Sequence, residues 1–368
     1  MIYFWQTDDW PNFTYGLDDS CEKNLYAFAE RMGRTSGLLE GLDSKDRMDA
    51  LVWLLMEEAI KTSEIEGEYL SREDVISSIR NNLGLNTIPE FVRDRRAEGV
   101  VALTMTVRDE YAEPLCKAML LEWHRKLMNW DRRIRVGGWR NHKEPMQIIS
   151  GPIGKEKVHF EAPPSSRIPQ EMKKFIQWFN STAPGEVNEI GPAPLRSALA
   201  HLYFESIHPF EDGNGRIGRA LSEKALSQGI DQPVIMSLSK TIEANKKSYY
   251  EELKSAQRKQ DVSSWILFFS GICLKAQNQA ERQIQFTLRK SKFLDRLAGK
   301  MNERQTRVVQ RMLEEGPDGF EGGMNARKYI SITKTSKATA TRDMRRLLEM
   351  GVFEVEGGGR STRYALAL

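Results

Sequence analysis

Through most of the first 300 residues, apolar side chains recur every three or four positions, the spacing of amphipathic helices. Leu51, Leu55, Ala59, Thr62 and Glu66 fall on one such face, with Ser44 as the expected N-cap and Gly67 as the expected stop. That stripe ends on a hydroxyl and a carboxylate. Leu195, Leu199, Leu202 and Ser206 define a second face, and Ile217, Leu221 and Ala225 a third. Residues 135–168 break the pattern. There Met146 to Ile149 and Val158 to Phe160 alternate like strands around a Gly/Pro turn, which predicts a hairpin lying on a helical body. Near the end, three short helical segments (Gln305 to Leu313, Ala326 to Ile332, Lys337 to Met350) precede two strand-like runs, Val352 to Val355 and Thr362 to Leu366. That order is the one of a winged helix-turn-helix. The expected fold is mainly α, divided at 1–95, 96–290 and 291–368.

The 368 residues suffice for two or three domains, and 40% hydrophobic with 29% charged residues excludes a disordered chain. A formal net charge of +3 is too small for nucleic-acid binding by the whole chain, so any basic footprint must be local. The most apolar run, Trp265 to Leu274, is roughly half a membrane span and predicts a core helix rather than a membrane segment. Cys21, Cys116 and Cys273 form no C-x-x-C pair, which argues against zinc and disulfides. With no leader pattern after Met1, the expected location is the cytoplasm.

Candidate chemistry concentrates in twelve residues. Residues 208–219 read His-Pro-Phe-Glu-Asp-Gly-Asn-Gly-Arg-Ile-Gly-Arg, between two predicted helices. Glycines around Asn214 let several backbone N–H groups converge at a helix N-terminus, which suits phosphate oxygens. Asp212 offers a hard oxygen of the kind Mg²⁺ prefers. Arg216 and Arg219, three apart, project to one side and suit a polyphosphate. His208, at the mouth of the loop, is placed to take a hydroxyl proton near neutral pH.

The segment resembles the Fic family, whose signature H-x-F-x-[D/E]-G-N-G-R-x-x-R is filled by His208, Phe210, Asp212, Gly213, Asn214, Gly215, Arg216 and Arg219. The resemblance implies a Fic-type helical bundle and a protein adenylyltransferase that moves AMP from ATP to a Ser, Thr or Tyr hydroxyl of a target protein, and of itself. His208 would be the general base and Asp212 the Mg²⁺ ligand. Gly213, Asn214 and Gly215 would cradle phosphates, Ile217 and Gly218 would share the nucleotide site, and Arg216 and Arg219 would neutralise the β- and γ-phosphates. Phe210 would be buried to fix the loop. The hairpin would be a flap, with Ile148, Ile149, Ser150 and Gly151 pairing with the target segment. Tyr249, Tyr250 and Gln257 fall where relatives line the adenine pocket, and an ordinary amphipathic-helix role remains open for the tyrosines.

Residues 62–67, Thr-Ser-Glu-Ile-Glu-Gly, fit the family's inhibitory pattern [S/T]-x-x-x-E-[G/N]. The resemblance then implies that Glu66, flanked by Thr62 and Gly67, pairs with Arg219 and denies the γ-phosphate its anchor. Removal of AMP from a modified protein is an alternative activity, with Glu66 orienting water. In the tail, Lys337, Arg342 and Arg345 lie opposite an expected inner face of Ala340, Met344, Leu347 and Leu348, and Arg360 and Arg363 fall in the wing. DNA is one candidate partner, which would make the chain an ATP-sensing regulator. Docking to another protein, or to a second copy in a homodimer, is the other.

Overall fold

The computed structural model describes residues 2–150, 157–358 and 362–368. Helices α1 (Asp19–Glu40), α2 (Ser44–Ile65), α3 (Arg72–Asn82), α4 (Arg95–Asp109) and α5 (Lys117–Met128) come first. An antiparallel hairpin, β1 (Gln147–Ser150) and β2 (Lys157–Glu161), interrupts them. Then follow α6 (Ile168–Ser181), α7 (Ala193–Ile207), α8 (Asn214–Gly229), α9 (Leu238–Ala244), α10 (Lys246–Ala256) and α11 (Ser263–Leu297). The chain closes with α12 (Glu303–Leu313), α13 (Ala326–Thr333), α14 (Lys337–Glu349) and a second hairpin, β3 (Phe353–Glu356) and β4 (Arg363–Leu366).

Contacts divide the chain into two units rather than three: Met1–Arg34 with Leu51–Ala280, and Thr35–Ala50 with Glu281–Leu368. Residues 51–95 do not stand apart from the catalytic segment, because Leu55, Met56, Ala59, Val75 and Ile79 bury into the same core as Phe204, Phe210 and Ile217. Two details at α2 also differ from expectation. Its N-cap is Asp43, whose Oδ1 accepts from the Asp46 N–H at 2.7 Å, and Ser44 is already helical. Its apolar stripe is buried at Leu55, Ala59 and Thr62, but Leu51 is half-buried and the Glu66 side chain keeps 30% exposure.

Helix α7 is the axis of the first unit. Its Ala/Leu-rich sequence is apolar on every side, so it is buried along its whole length, as such helices must be. The one guanidinium this buries, Arg196, donates to the Phe179 carbonyl at 2.7 Å and stacks on the Phe179 ring. The run from Trp265 lies in α11 as a core segment, with Trp265, Ile266, Phe269, Ile272 and Cys273 buried. Among the described residues no helix is long and apolar enough to cross a membrane.

In the second unit the three helices and the hairpin enclose Val308, Val309, Met312, Tyr329, Ala340, Met344, Leu347, Val352 and Phe353. A single bridge from Met324 to Tyr364 extends the hairpin. Leu348, expected inside, is 37% exposed, and Asp343 is buried. Asp343 accepts from Arg304 Nε at 2.8 Å and from the Tyr329 hydroxyl at 3.2 Å, which satisfies an otherwise costly buried carboxylate. Arg360 lies outside the described residues.

Candidate active site

Helix α7 ends at His208, whose backbone is left-handed (φ 52°). A non-glycine residue holds that conformation only when its surroundings fix it. Here Arg140 does much of the fixing. Its side chain is buried, its Nε donates to the His208 carbonyl at 2.8 Å, and one Nη donates to the Pro163 carbonyl at 2.5 Å. Its backbone N–H donates to the Pro209 carbonyl at 2.9 Å. Burial lowers the Arg140 pKa to about 10, still far above neutrality, so the charge persists. Sequence reading did not single out Arg140, since nothing in its spacing marks a contact 68 residues away.

Phe210 is fully buried, as the resemblance implied, and stacks flat on His124 at 4.1 Å between ring centres. His124 accepts from the Gly137 N–H at 2.8 Å through Nδ1, and its Nε2 lies 3.2 Å from the Asp212 carbonyl. Burial lowers its pKa to about 4, so it is neutral, and Nε2 donates to that carbonyl. The Asn214 side chain has a part of its own. Its side-chain oxygen accepts from the Phe210 N–H at 2.9 Å and its amide donates to the Phe210 carbonyl at 2.8 Å. The Asn214 side chain therefore ties the loop to itself, and only its backbone can serve an anion.

Gly213 carries φ 81°, the turn that starts α8, a conformation glycine takes without strain. Gly215 is needed for space: a Cβ there would overlap Glu66 Oε1. Gly218 is needed for space too, but toward α7, where a Cβ would overlap Glu205 Oε1 and crowd His201. It does not line the nucleotide-sized cavity, nor does Ile217, which is in the core.

The two arginines are both buried and both engaged. Arg219 donates through Nε to Thr62 Oγ1 at 2.8 Å, and through Nη2 to the Thr62 carbonyl at 2.9 Å and to Glu66 Oε1 at 2.8 Å. Burial alone would lower the Arg219 pKa, but Glu66 raises it above the ordinary arginine range. Arg216 donates to Glu68 Oε2 at 2.7 Å and lies 3.5 Å from Asp212 Oδ1. Burial pushes the Glu68 carboxyl above the usual range despite the guanidinium beside it. Both acidic partners follow from how α2 ends. Gly67 at φ 80° lets the Glu68 N–H bond the Ser63 carbonyl and the Gly67 N–H bond the Glu64 carbonyl, which turns the chain sharply over α8. Glu68 lies beyond the inhibitory pattern, and sequence reading missed it.

His208, Asp212, Gly213, Asn214, Gly215 and Arg219 converge on one cavity of about 510 Å³. Glu66, Tyr249, Tyr250 and Gln257 line it as well, with Ile148 and Ile149 of the hairpin. Tyr249 is buried with its hydroxyl 2.7 Å from His201 Nε2, so it supports the wall, whereas Tyr250 is 41% exposed. The Gln257 amide donates to the Glu205 carbonyl at 3.2 Å. Strand β2 is fastened to the body by Arg258 and Trp5, which donate to the carbonyls of His159 and Glu161. Among the described residues strand β1 pairs only with β2. Gly151 and the Ser150 side chain lie outside the described residues. No group of three or more His, Cys, Asp or Glu gathers as a metal site among the described residues. Asp212, with its side chain half exposed at the cavity, offers a single carboxylate. That suits Mg²⁺, which is held by one or two carboxylates plus substrate phosphates and water.

Residues 114–226 match the Fic/DOC family, and residues 3–85 match a domain of unknown function, DUF4172. A Fic/DOC domain thus spans residues 114–226. A probable protein adenylyltransferase of Aquifex aeolicus is 26% identical over 207 residues, which cover 56% of each chain. The protein adenylyltransferase Fic of Drosophila melanogaster is 28% identical over 188 residues, 51% of this chain and 31% of that protein. The alignments thus span less than two thirds of these relatives. Among solved structures, a Fic family protein from Desulfovibrio desulfuricans shares the fold over 97% of this chain and 98% of its own, with TM-score 0.58 and 19% identity. A Fic-domain signalling protein from Bacteroides thetaiotaomicron covers 73% of this chain and 97% of its own, with TM-score 0.54 and 16% identity.

Proposed function

We propose that the chain is a protein adenylyltransferase, held in check by Glu66. What carries the reading is that His208, the N-terminal amides of α8 and Arg219 open onto one cavity of about 510 Å³, large enough for a nucleotide. A Ser, Thr or Tyr hydroxyl of a target protein gives its proton to His208 as its oxygen attacks the α-phosphorus of ATP. The new O–P bond forms, the bond to the pyrophosphate oxygen breaks, and pyrophosphate leaves. The backbone N–H groups at the start of α8 and the positive end of its dipole favour the phosphates. Arg219 and Arg216 offset their charge, and Asp212 would hold Mg²⁺, which screens charge between phosphates. Positioning and charge neutralisation carry most of such a reaction. The exposed edge of β1 is suited to hold a target segment by strand pairing.

The same contacts support the brake. Glu66 places a negative carboxylate against the first turn of α8, on Arg219 and beside Gly215, where an anion would otherwise bind. Glu68 occupies Arg216 in the same way. A triphosphate must compete with both, and a displacement of about 1 Å in the α-phosphate costs on the order of 10²-fold in rate. Mass spectrometry after incubation with ATP and Mg²⁺ tests this. Glu66→Gly should add AMP to itself on the order of 10²-fold faster than the parent chain, and Glu66→Gly with His208→Ala should add none. Equal incorporation with and without the imidazole would sink the assignment. Adding the enzyme to an AMP-modified protein separates this reading from AMP removal.

A second reading concerns residues 281–368, which carry 18 Lys and Arg against 11 Asp and Glu, although the whole chain is only +3. Lys334, Lys337 and Arg342 are exposed along and before α14. This supports a winged helix-turn-helix that lays α14 in the major groove of duplex DNA. Retention on duplex DNA that weakens steeply with salt is the expected result, and no retention at low salt removes the idea.

A further inference from the structure

Beyond the base itself, α7 contributes a second ionisable group at the reacting centre. Glu205 lies one helical turn before His208, and its carboxylate is buried. Glu205 Oε2 sits 3.5 Å from His208 Nδ1. Neither His208 Nδ1 nor Glu205 Oε1 has a hydrogen-bond partner among the described residues. The backbone carbonyl of Glu205 is fixed by the Gln257 amide, and Gly218 leaves the space that Oε1 occupies. Burial favours the neutral carboxyl, yet His208, His201 and Arg219 together hold Glu205 below the ordinary range. Among the described residues it forms no ion pair with a Lys or Arg, and it faces the Nδ1 side of an imidazole that lines the cavity.

We infer that Glu205 is the positioning residue of a Glu205–His208 dyad: it keeps the neutral ring in the Nδ1–H form and stabilises the imidazolium once Nε2 has taken the hydroxyl proton. The inference rests on His208 acting as base in the reading above. The physical reason is general. A ring nitrogen can accept a proton only if the other carries the hydrogen, and a buried carboxylate decides which. The positive charge that develops on the ring during proton transfer then lies beside a fixed negative charge in a site with little water. The same logic gives Gly218 a different task from nucleotide binding: it admits the Glu205 carboxylate. The other charged or titratable groups facing the dyad are His201 on α7, Arg219 on α8, Glu66 after α2, and Tyr249 and Tyr250 on α10. Glu211, Asp212, His159 and Lys254 complete the ring around the cavity.

The test has two arms, both on the full chain. In the first, ¹⁵N-histidine-labelled wild type is examined by NMR above the pH at which its histidines titrate. The Nδ1–H form is expected for His208, assigned by the signal lost in His208→Ala, and the Nε2–H form would overturn the dyad. In the second, AMP incorporation is followed against pH in Glu66→Gly with and without Glu205→Gln, a substitution of nearly equal shape. Because the base must be neutral to act, activity rises with pH. Removing the carboxylate should move that acid limb to lower pH and cut the plateau rate on the order of 10²-fold, with the KM for ATP little changed. An unmoved acid limb in a folded Glu205→Gln chain overturns the inference. If Glu66→Gly incorporates no AMP but the NMR arm finds the Nδ1–H form, the assigned activity fails and the dyad stands.

Discussion

Four arginines of the first unit and two on α14 of the second are used in opposite ways. In the first unit Arg140, Arg196, Arg216 and Arg219 are each at most 2% exposed, and each is aimed at named oxygens. In the second, the side chains of Arg345 and Arg346 on α14 are 80% and 66% exposed and, among the described residues, pair with Glu349 on the same helix. A buried guanidinium must be answered by acceptors, so it fixes the backbone around it and makes the site rigid. An exposed one contributes little to folding and stays available for a partner. The difference separates charges that build a site from charges that wait for one.

The largest expected effect breaks the first half of that contrast. Arg219→Ala placed in Glu66→Gly should lower AMP incorporation on the order of 10²- to 10³-fold, because a buried donor set aimed at phosphate is lost. A rate within twofold of Glu66→Gly would mean that Arg219 serves only the brake. Next in size is acid sensitivity at the loop. His124 is neutral in the fold and its pKa is lowered to about 4, whereas the unfolded chain takes up the proton near pH 6.5. Between those values the unfolded state binds more protons, so stability falls as pH drops from about 6.5 to about 4, by roughly 3 kcal/mol from this group. Denaturant melts at pH 7 and pH 5 should show the loss, and His124→Phe should flatten it. The smallest effect sharpens the second half. Lys337→Ala and Arg342→Ala should each reduce the slope of DNA affinity against salt by about one. Both should leave AMP incorporation and melting temperature unchanged.

Much of the site was legible because its residues are adjacent in the chain. His208 to Arg219 form one loop and one helical turn, so their spacing already constrains where they point. The stop at Gly67 and the three helices with a hairpin near the end were readable for the same reason: caps, glycines and apolar spacing act locally. The shared core was not legible, because α2 and α3 join α7 and α8 through Leu55, Ala59, Val75 and Ile79, and apolar spacing does not say which partner a face will find. The side-chain contacts around Asn214 and Gly218 were not legible for a related reason. One side chain turned inward to Phe210, and one missing Cβ made room for Glu205 rather than for a phosphate.

By itself, then, the sequence determined the helices and the glycine-rich turn that carries His208, all of which follow from residues within a few positions of one another. Only the tertiary structure decided that Arg140 braces His208 from 68 residues away, that Glu66 and Glu68 close on Arg219 and Arg216, and that Glu205 stands behind the imidazole. Those pairings are set by which buried charges must be answered once the helices pack, and no local pattern encodes that choice.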